Sequence, residues 1–140
     1  MINGDAASLI SQIRDAVNKL IMSEFERRHI KGIVPSHGDI LVYLYKHTNV
    51  TMKELAEHIH RSKPTVTVLI NKLEEYGYVV REKDGSDNRI TYIKLTQKGT
   101  ELYPIFNDIS VEIRERMYGG FSEQEGEQLE QLLQNLLRRF

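Results

Sequence analysis

The most constraining feature of this sequence is a change of hydrophobic period between residues 51 and 99. From Thr51 to Tyr76, apolar residues recur every three or four positions, which predicts α-helix. From Tyr78 to Leu95, the period falls to two and the segment is rich in Val, Ile, Tyr and Thr, which predicts β-strand. The segment is therefore predicted to join short helices directly to a small antiparallel hairpin.

Local signals divide the helical part of this segment into two. Thr51 and Glu54 match a capping box, and the short helix that they begin is predicted to end near His60. Ser62 is expected to cap the next helix, with Pro64 in its first turn, where a missing N–H costs little. Two helices joined by so tight a turn are typical of a helix-turn-helix, whose second helix fits the major groove of DNA.

The strands are predicted at Tyr78–Glu82 and Arg89–Leu95, with a polar loop at 83–88. Upstream of the helix-turn-helix, an amphipathic helix is predicted from about Ala6 to His29, and Ser36 is expected to cap a second helix that ends near His47.

Downstream, Thr96 is expected to cap a long helix that Pro104 should bend or break. Ser122 and Glu125 form a second capping box, which begins a final helix with an apolar stripe. The sequence therefore predicts a mostly α (α+β) fold.

The second helix of the pair would present a polar face once its apolar stripe is buried. Hydroxyl, amide and ammonium groups suit phosphate oxygens and base edges, and a helix N-terminus favours an anion. The candidate DNA contacts on this helix are Ser62, Lys63, Pro64, Thr65, Thr67, Val68, Asn71 and Lys72. In the hairpin, the candidates are Arg81, Lys83 and Arg89.

On these motifs, residues 36–99 resemble the core of a MarR-family transcriptional regulator. The family's wing signature is Asp-x-Arg, five variable residues and Leu-Thr, which stands here as Asp87-Asn88-Arg89 and Leu95-Thr96, followed by Gly99. The stretches 62–67 and 73–81 also match the recognition helix and its exit into the wing. The resemblance covers nearly the whole chain.

The resemblance implies one domain, 1–140, with a winged helix-turn-helix at 36–99 and a helical dimerisation region at 6–30 and 100–140. It also implies a homodimer that binds a near-palindromic site on double-stranded DNA, most often as a repressor. Two positions depart from the family pattern. Val68 stands where members often have a basic residue, and the wing tip has Gly85-Ser86 and Asn88 where members often have another arginine. These departures are expected to lower affinity or change sequence preference.

Two arginines and the overall charge leave alternatives open. Arg89 either contacts DNA or pairs with Asp87 or Asp84 to shape the hairpin, and Arg81 is either a phosphate contact or an ion-pair partner. The net charge is −1, although residues 60–98 are basic and residues 101–140 acidic. The alternative function is therefore a winged-helix module that binds a protein and not DNA.

The resemblance further implies a pocket for a small lipophilic or phenolic effector. Its candidate residues are Phe25, His29, His37, Tyr43, Tyr103 and Phe106, although aromatic residues at such positions are more often core.

Other functional classes find little support. The chain has no Cys and no motif for nucleotide binding or nucleophilic catalysis, so we expect no enzyme activity, metal or cofactor. It has no apolar run long enough for a membrane span and no signal-peptide pattern, so a cytoplasmic protein with no membrane partner is expected.

Overall fold

A computed structural model describes all 140 residues as seven helices and one three-stranded sheet. The helices are α1 (Ala6–Arg27), α2 (Pro35–Lys46), α3 (Met52–Ile59), α4 (Lys63–Glu75), α5 (Gln97–Glu101), α6 (Tyr103–Tyr118) and α7 (Glu123–Leu137). The strands are β1 (Val50–Thr51), β2 (Val79–Lys83) and β3 (Thr91–Leu95). The predicted fold class is confirmed.

The sheet is antiparallel, with β3 between β1 and β2. Val79 pairs with Leu95 at the base of the β2–β3 hairpin, and Lys83 pairs with Thr91 at its tip. The sequence pattern did not predict β1, in which Val50 pairs with Ile93, because two residues are too few to show alternation.

The predicted capping residues are partly right. Ser62, Thr96 and Ser122 each accept a backbone N–H in the first turn of α4, α5 and α7. Thr51 likewise accepts from Glu54, but the Glu54 carboxylate accepts from the Tyr43 hydroxyl, so only half of this capping box forms.

The prediction that Ser36 caps α2 is wrong. The helix begins at Pro35, and the Nδ1 atom of His37 accepts the backbone N–H of Val34 at 2.8 Å. The break expected near Pro104 is confirmed, because Leu102 separates α5 from α6.

The chain divides into two compact units, Met1–Asn107 and Asp108–Phe140. In the first unit, the fully buried side chains come from α1 to α4, the segment between α1 and α2, and the sheet: Phe25, Ile33, Ile40, Leu41, Val50, Leu55, Val66, Ile70, Leu73, Val79 and Ile93. In the second unit, the Tyr118 ring packs over Gly126, and its hydroxyl donates to Glu130 at 2.6 Å. The domain boundaries expected from the sequence stay a prediction.

Candidate nucleic-acid interface

Helix α4 has one fully packed face and one face open to solvent. Val66, Leu69, Ile70 and Leu73 are buried, at the helical spacing that the sequence predicted. This burial fixes the orientation of the helix. The eight candidate contacts of this segment consequently lie on the other face, where Ser62, Lys63, Pro64, Thr65, Val68, Asn71 and Lys72 are exposed and Thr67 is half-buried.

Several polar groups on the open face of α4 already have partners within the chain. The Thr65 and Ser62 hydroxyls share a hydrogen bond of 2.9 Å, and the Thr67 hydroxyl donates to the Lys63 carbonyl at 3.0 Å. The Lys72 ammonium lies 5.5 Å from the centre of the Tyr76 ring. By contrast, Lys63 and Val68 make no such contact, and Val68 is 67% exposed.

Arg81 connects the hairpin to α4. Its guanidinium donates to the Glu74 carboxylate at 2.6 Å and to the side-chain oxygen of Asn71 at 2.7 Å. The ion pair with Glu74 is only partly exposed. Of the two roles left open by the sequence, the structure therefore has Arg81 as an ion-pair partner, and it orients the Asn71 amide.

The hairpin loop is organised around the Asp84 carboxylate. This group accepts the backbone N–H of Ser86 at 2.8 Å, the Ser86 hydroxyl at 2.9 Å and the Tyr92 hydroxyl at 2.8 Å. These donors, the Ser86 backbone N–H foremost, lower the pKa of Asp84 to about 2. The loop is thus held by hydrogen bonds at the surface and not by buried apolar side chains.

Arg89 also belongs to this network. Its guanidinium makes two parallel hydrogen bonds to the Asp87 carboxylate, at 3.0 and 3.1 Å, while its side chain is 91% exposed. The Arg89 side-chain hydrogen bond lowers the pKa of Asp87. Lys83, at the end of β2, is exposed, and its ammonium group has no hydrogen-bond or ion-pair partner. Lys83 is thus the cation of the hairpin that is available to an incoming anion.

The Leu-Thr-x-x-Gly part of the signature has a structural role that the sequence did not reveal. The Thr96 hydroxyl donates to the Gly77 carbonyl at 2.5 Å, and Lys98 donates to the Tyr76 carbonyl at 2.7 Å. At Gly99, a Cβ would overlap the Tyr78 carbonyl oxygen, so only glycine fits. These contacts fix the exit of α4 against the start of α5.

The six candidates for the effector pocket are not brought together. Phe25 and His29 line a cleft of about 540 Å³ beside the C-terminal part of α1. Tyr103 lines a second cleft, of about 580 Å³, with Tyr45 and Pro104.

The remaining three candidates have structural contacts and line neither cleft. Phe106 is buried and meets Phe25 edge to face at 5.5 Å. His37 is the buried cap of α2, and burial together with the nearby Lys72 charge lowers its pKa. The hydrogen bond from Tyr43 to Glu54 raises the pKa of Tyr43 to about 12.

The chain has no cluster of three or more His, Asp or Glu side chains that could hold a metal ion. None of its helices combines the length and apolar character that a membrane span requires.

Known proteins resemble this chain throughout its length. The model of the MarR family matches residues 33–91. The transcriptional regulator MhqR of Bacillus subtilis is 29% identical over 125 residues, which cover 89% of this chain and 81% of MhqR. The uncharacterized B. subtilis regulator YkoM is 34% identical over 106 residues, which cover 73% of this chain and 66% of YkoM.

Solved structures share the fold. The S. aureus MepR protein in a MepR–DNA complex has a TM-score of 0.87 and 28% identity, covering 96% of this chain and 97% of MepR. A MarR transcriptional regulator from Methanosarcina mazei has a TM-score of 0.80 and 27% identity, covering 96% and 98% of the two chains. The helix-turn-helix, the hairpin and these likenesses together identify the chain as a member of the MarR family of winged-helix transcriptional regulators.

Proposed function

We propose that this chain is a homodimeric, sequence-specific DNA-binding regulator that represses transcription from a near-palindromic operator. The observation that carries the proposal is the open face of α4, which is fixed by a buried opposite face and flanked by the hairpin. The likeness to MepR in its DNA complex supports the same docking. In this docking, α4 enters the major groove and the hairpin lies beside the duplex.

The roles of individual residues follow from their partners. Lys63 and Lys83, which have no partner in the chain, contact phosphates, and Lys72 contacts a phosphate after leaving the Tyr76 ring. Ser62 and Pro64 shape the start of α4, whose N-terminus favours a phosphate. Thr65, Thr67 and Val68 face the bases. Arg81 holds the Asn71 side chain in place, and Arg89 holds the hairpin loop through Asp87. Both arginines remain near the duplex.

Exposed apolar side chains in both units support the dimer. In α1, Leu9, Ile10 and Ile13 are 44–53% exposed, and in α7, Leu132 and Leu137 are 63% and 73% exposed. A single chain leaves these side chains in water, whereas a second copy would cover them. A two-fold dimer holds two copies of α4 about 34 Å apart, one turn of duplex, which accounts for a palindromic operator.

The cleft beside α1 is where we propose that a lipophilic or phenolic effector binds. Met22, Phe25 and Ile33 supply apolar walls, and Lys19, Glu26 and Lys31 supply charged groups of both signs at its edge.

This cleft also has a direct route to α4. Gly32, which lines the cleft, lies so close to the Tyr76 ring that a Cβ at Gly32 would overlap the Tyr76 hydroxyl. A ligand that moves Gly32 would therefore press on the C-terminal end of α4 and change the fit to the operator.

Selection of bound duplexes from a random pool tests the proposal. We expect enrichment of a symmetric site whose half-sites are one helical turn apart, and an affinity that falls steeply as salt rises. Lys63→Gln should weaken binding to all duplexes, whereas Lys46→Gln, at an exposed lysine outside α4 and the hairpin, should not. If the folded protein enriched no duplex at any salt concentration, the proposal would be wrong and the protein-interaction module would replace it.

A further inference from the structure

Few of the polar side chains on the open face of α4 are left without a partner within the chain. The Thr65 and Thr67 hydroxyls are hydrogen-bonded within the helix, and the Asn71 oxygen is held by Arg81. The side chains on the first turns of the open face that have no hydrogen-bond, ion-pair or ring partner are Lys63, Pro64 and Val68. The Lys63 ammonium group can bind any phosphate, and Pro64 is taken up in shaping the start of the helix. Val68 is therefore the apolar side chain of this face whose shape can discriminate between bases.

Val68 is well suited to an apolar contact. Its side chain is 67% exposed, and Val66 and Leu69 on the buried face fix the direction in which it points. A β-branched side chain in a helix has essentially one χ1 rotamer, so little conformational freedom is lost when it is covered. The matching apolar group on the base edges of the major groove is the C5-methyl of thymine.

We propose that Val68 is a specificity residue that packs against a thymine methyl in each operator half-site. The inference rests on the proposed function, since it requires α4 to lie in the major groove. It identifies the target as a half-site with a thymine at the position facing Val68. Specificity there comes from contact between methyl groups and not from a hydrogen bond.

Replacing thymine by uracil in the selected duplex removes this methyl group and nothing else. Binding of the full chain is measured for each single replacement and for the symmetric pair. The wild type should lose about fourfold in affinity at one thymine of a half-site and about fifteenfold for the symmetric pair, as expected for one buried methyl per half-site. Val68→Ala should bind the unmodified duplex more weakly and should lose nothing further at that thymine.

The controls separate this inference from the proposed function. Val34→Ala, at another exposed valine outside α4 and the hairpin, should keep the wild-type response to uracil. Circular dichroism should show that Val68→Ala is folded, since most of the Val68 side chain is already exposed. Salt-sensitive duplex binding with the same uracil response in wild type and Val68→Ala would overturn the inference alone. Absence of duplex binding by the wild type would instead overturn the proposed function.

Discussion

Helix α4 and the β2–β3 hairpin are expected to bind the same duplex, yet they are stabilised in opposite ways. The helix is fixed by four buried apolar side chains, none more than 9% exposed. The loop of the hairpin is fixed by hydrogen bonds that converge on the exposed region around Asp84 and by the Arg89–Asp87 pair. Buried apolar contacts contribute far more to folding than exposed ion pairs do.

This difference separates stability from binding. Substitutions on the packed side of α4 should destabilise the fold, whereas substitutions in the hairpin loop should chiefly alter how DNA is held. The polar groups of both regions are largely satisfied within the chain, which leaves unpaired lysines and one valine for the duplex.

The largest expected effect is on the buried side of α4. Ile70→Ala should reduce the free energy of unfolding by about 2–5 kcal/mol, because it removes a fully buried side chain and leaves a cavity. Val68→Ala, on the open side of the same helix, should change it by less than about 0.5 kcal/mol. Urea denaturation of both variants measures the contrast, and equal losses would mean that the two faces are not different.

The next largest effect is expected at Arg81, which connects the hairpin to α4. Arg81→Gln should lower duplex affinity by about fivefold, equivalent to about 1 kcal/mol, because Asn71 and the hairpin lose their shared anchor. Lys94→Gln, which removes an exposed pair with Glu82 on the same sheet, is the matched control and should have less effect. Fluorescence anisotropy with a labelled duplex measures both. An Arg81 variant with wild-type affinity would show that the two regions act independently.

The stability of the fold should be sensitive to mild acid through His37, which lies in α2 near Lys72 of α4. The folded pKa of His37 lies below its ordinary value near 6.5, because burial and the Lys72 charge disfavour the imidazolium. The unfolded chain therefore binds a proton that the folded chain excludes, and stability falls as pH drops from about 6.5 toward the folded pKa. Urea unfolding at pH 7.5 and 5.5 should show this fall. His37→Gln should reduce it and His58→Gln should not, and an unchanged pH dependence in His37→Gln would contradict this interpretation.

The wing loop should respond only in stronger acid, and this effect is the smallest. Asp84 has a folded pKa of about 2, below its ordinary value near 3.8. Its contribution to folding stability is therefore complete above about pH 3.8 and is lost as pH falls through about 2. Ser86→Ala removes one donor and should move the Asp84 pKa upward, as measured by the carboxyl carbon chemical shift during titration. A Ser86→Ala chain that kept the wild-type pKa would assign the shift to the remaining donors.

The order of helices and hairpin follows from the sequence because local periodicity and caps determine it. The sequence does not predict how these elements pack against one another. The Arg81–Asn71 and Lys98–Tyr76 contacts join residues 10 and 22 positions apart, and depend on how β2 and α5 lie against α4. The cap of α2 was missed for a different reason, since an imidazole at His37 replaced the expected serine oxygen.

The candidate site was predicted in its location but not in its internal hydrogen bonding. Sequence alone identifies Thr65, Thr67 and Asn71 as outward-facing, because burial of the opposite stripe requires it. It does not show that their oxygens already have partners, or that Lys63, Val68 and Lys83 do not. The effector candidates are divided between two clefts, the buried residues His37 and Phe106, and Tyr43 at Glu54. Residue type alone does not indicate which aromatic side chains the fold brings together.

Whether the unpaired lysines contact phosphates is tested by the salt dependence of duplex affinity in wild type, Lys83→Gln and Arg81→Gln. If the unpaired lysines contact phosphates, Lys83→Gln should reduce the slope of log affinity against log salt by about 1.8, one phosphate contact in each subunit of the dimer. Arg81→Gln should weaken binding without changing the slope, because its charge is used within the chain. A slope that is unchanged in Lys83→Gln and reduced in Arg81→Gln would show instead that Arg81, and not Lys83, contacts the phosphates.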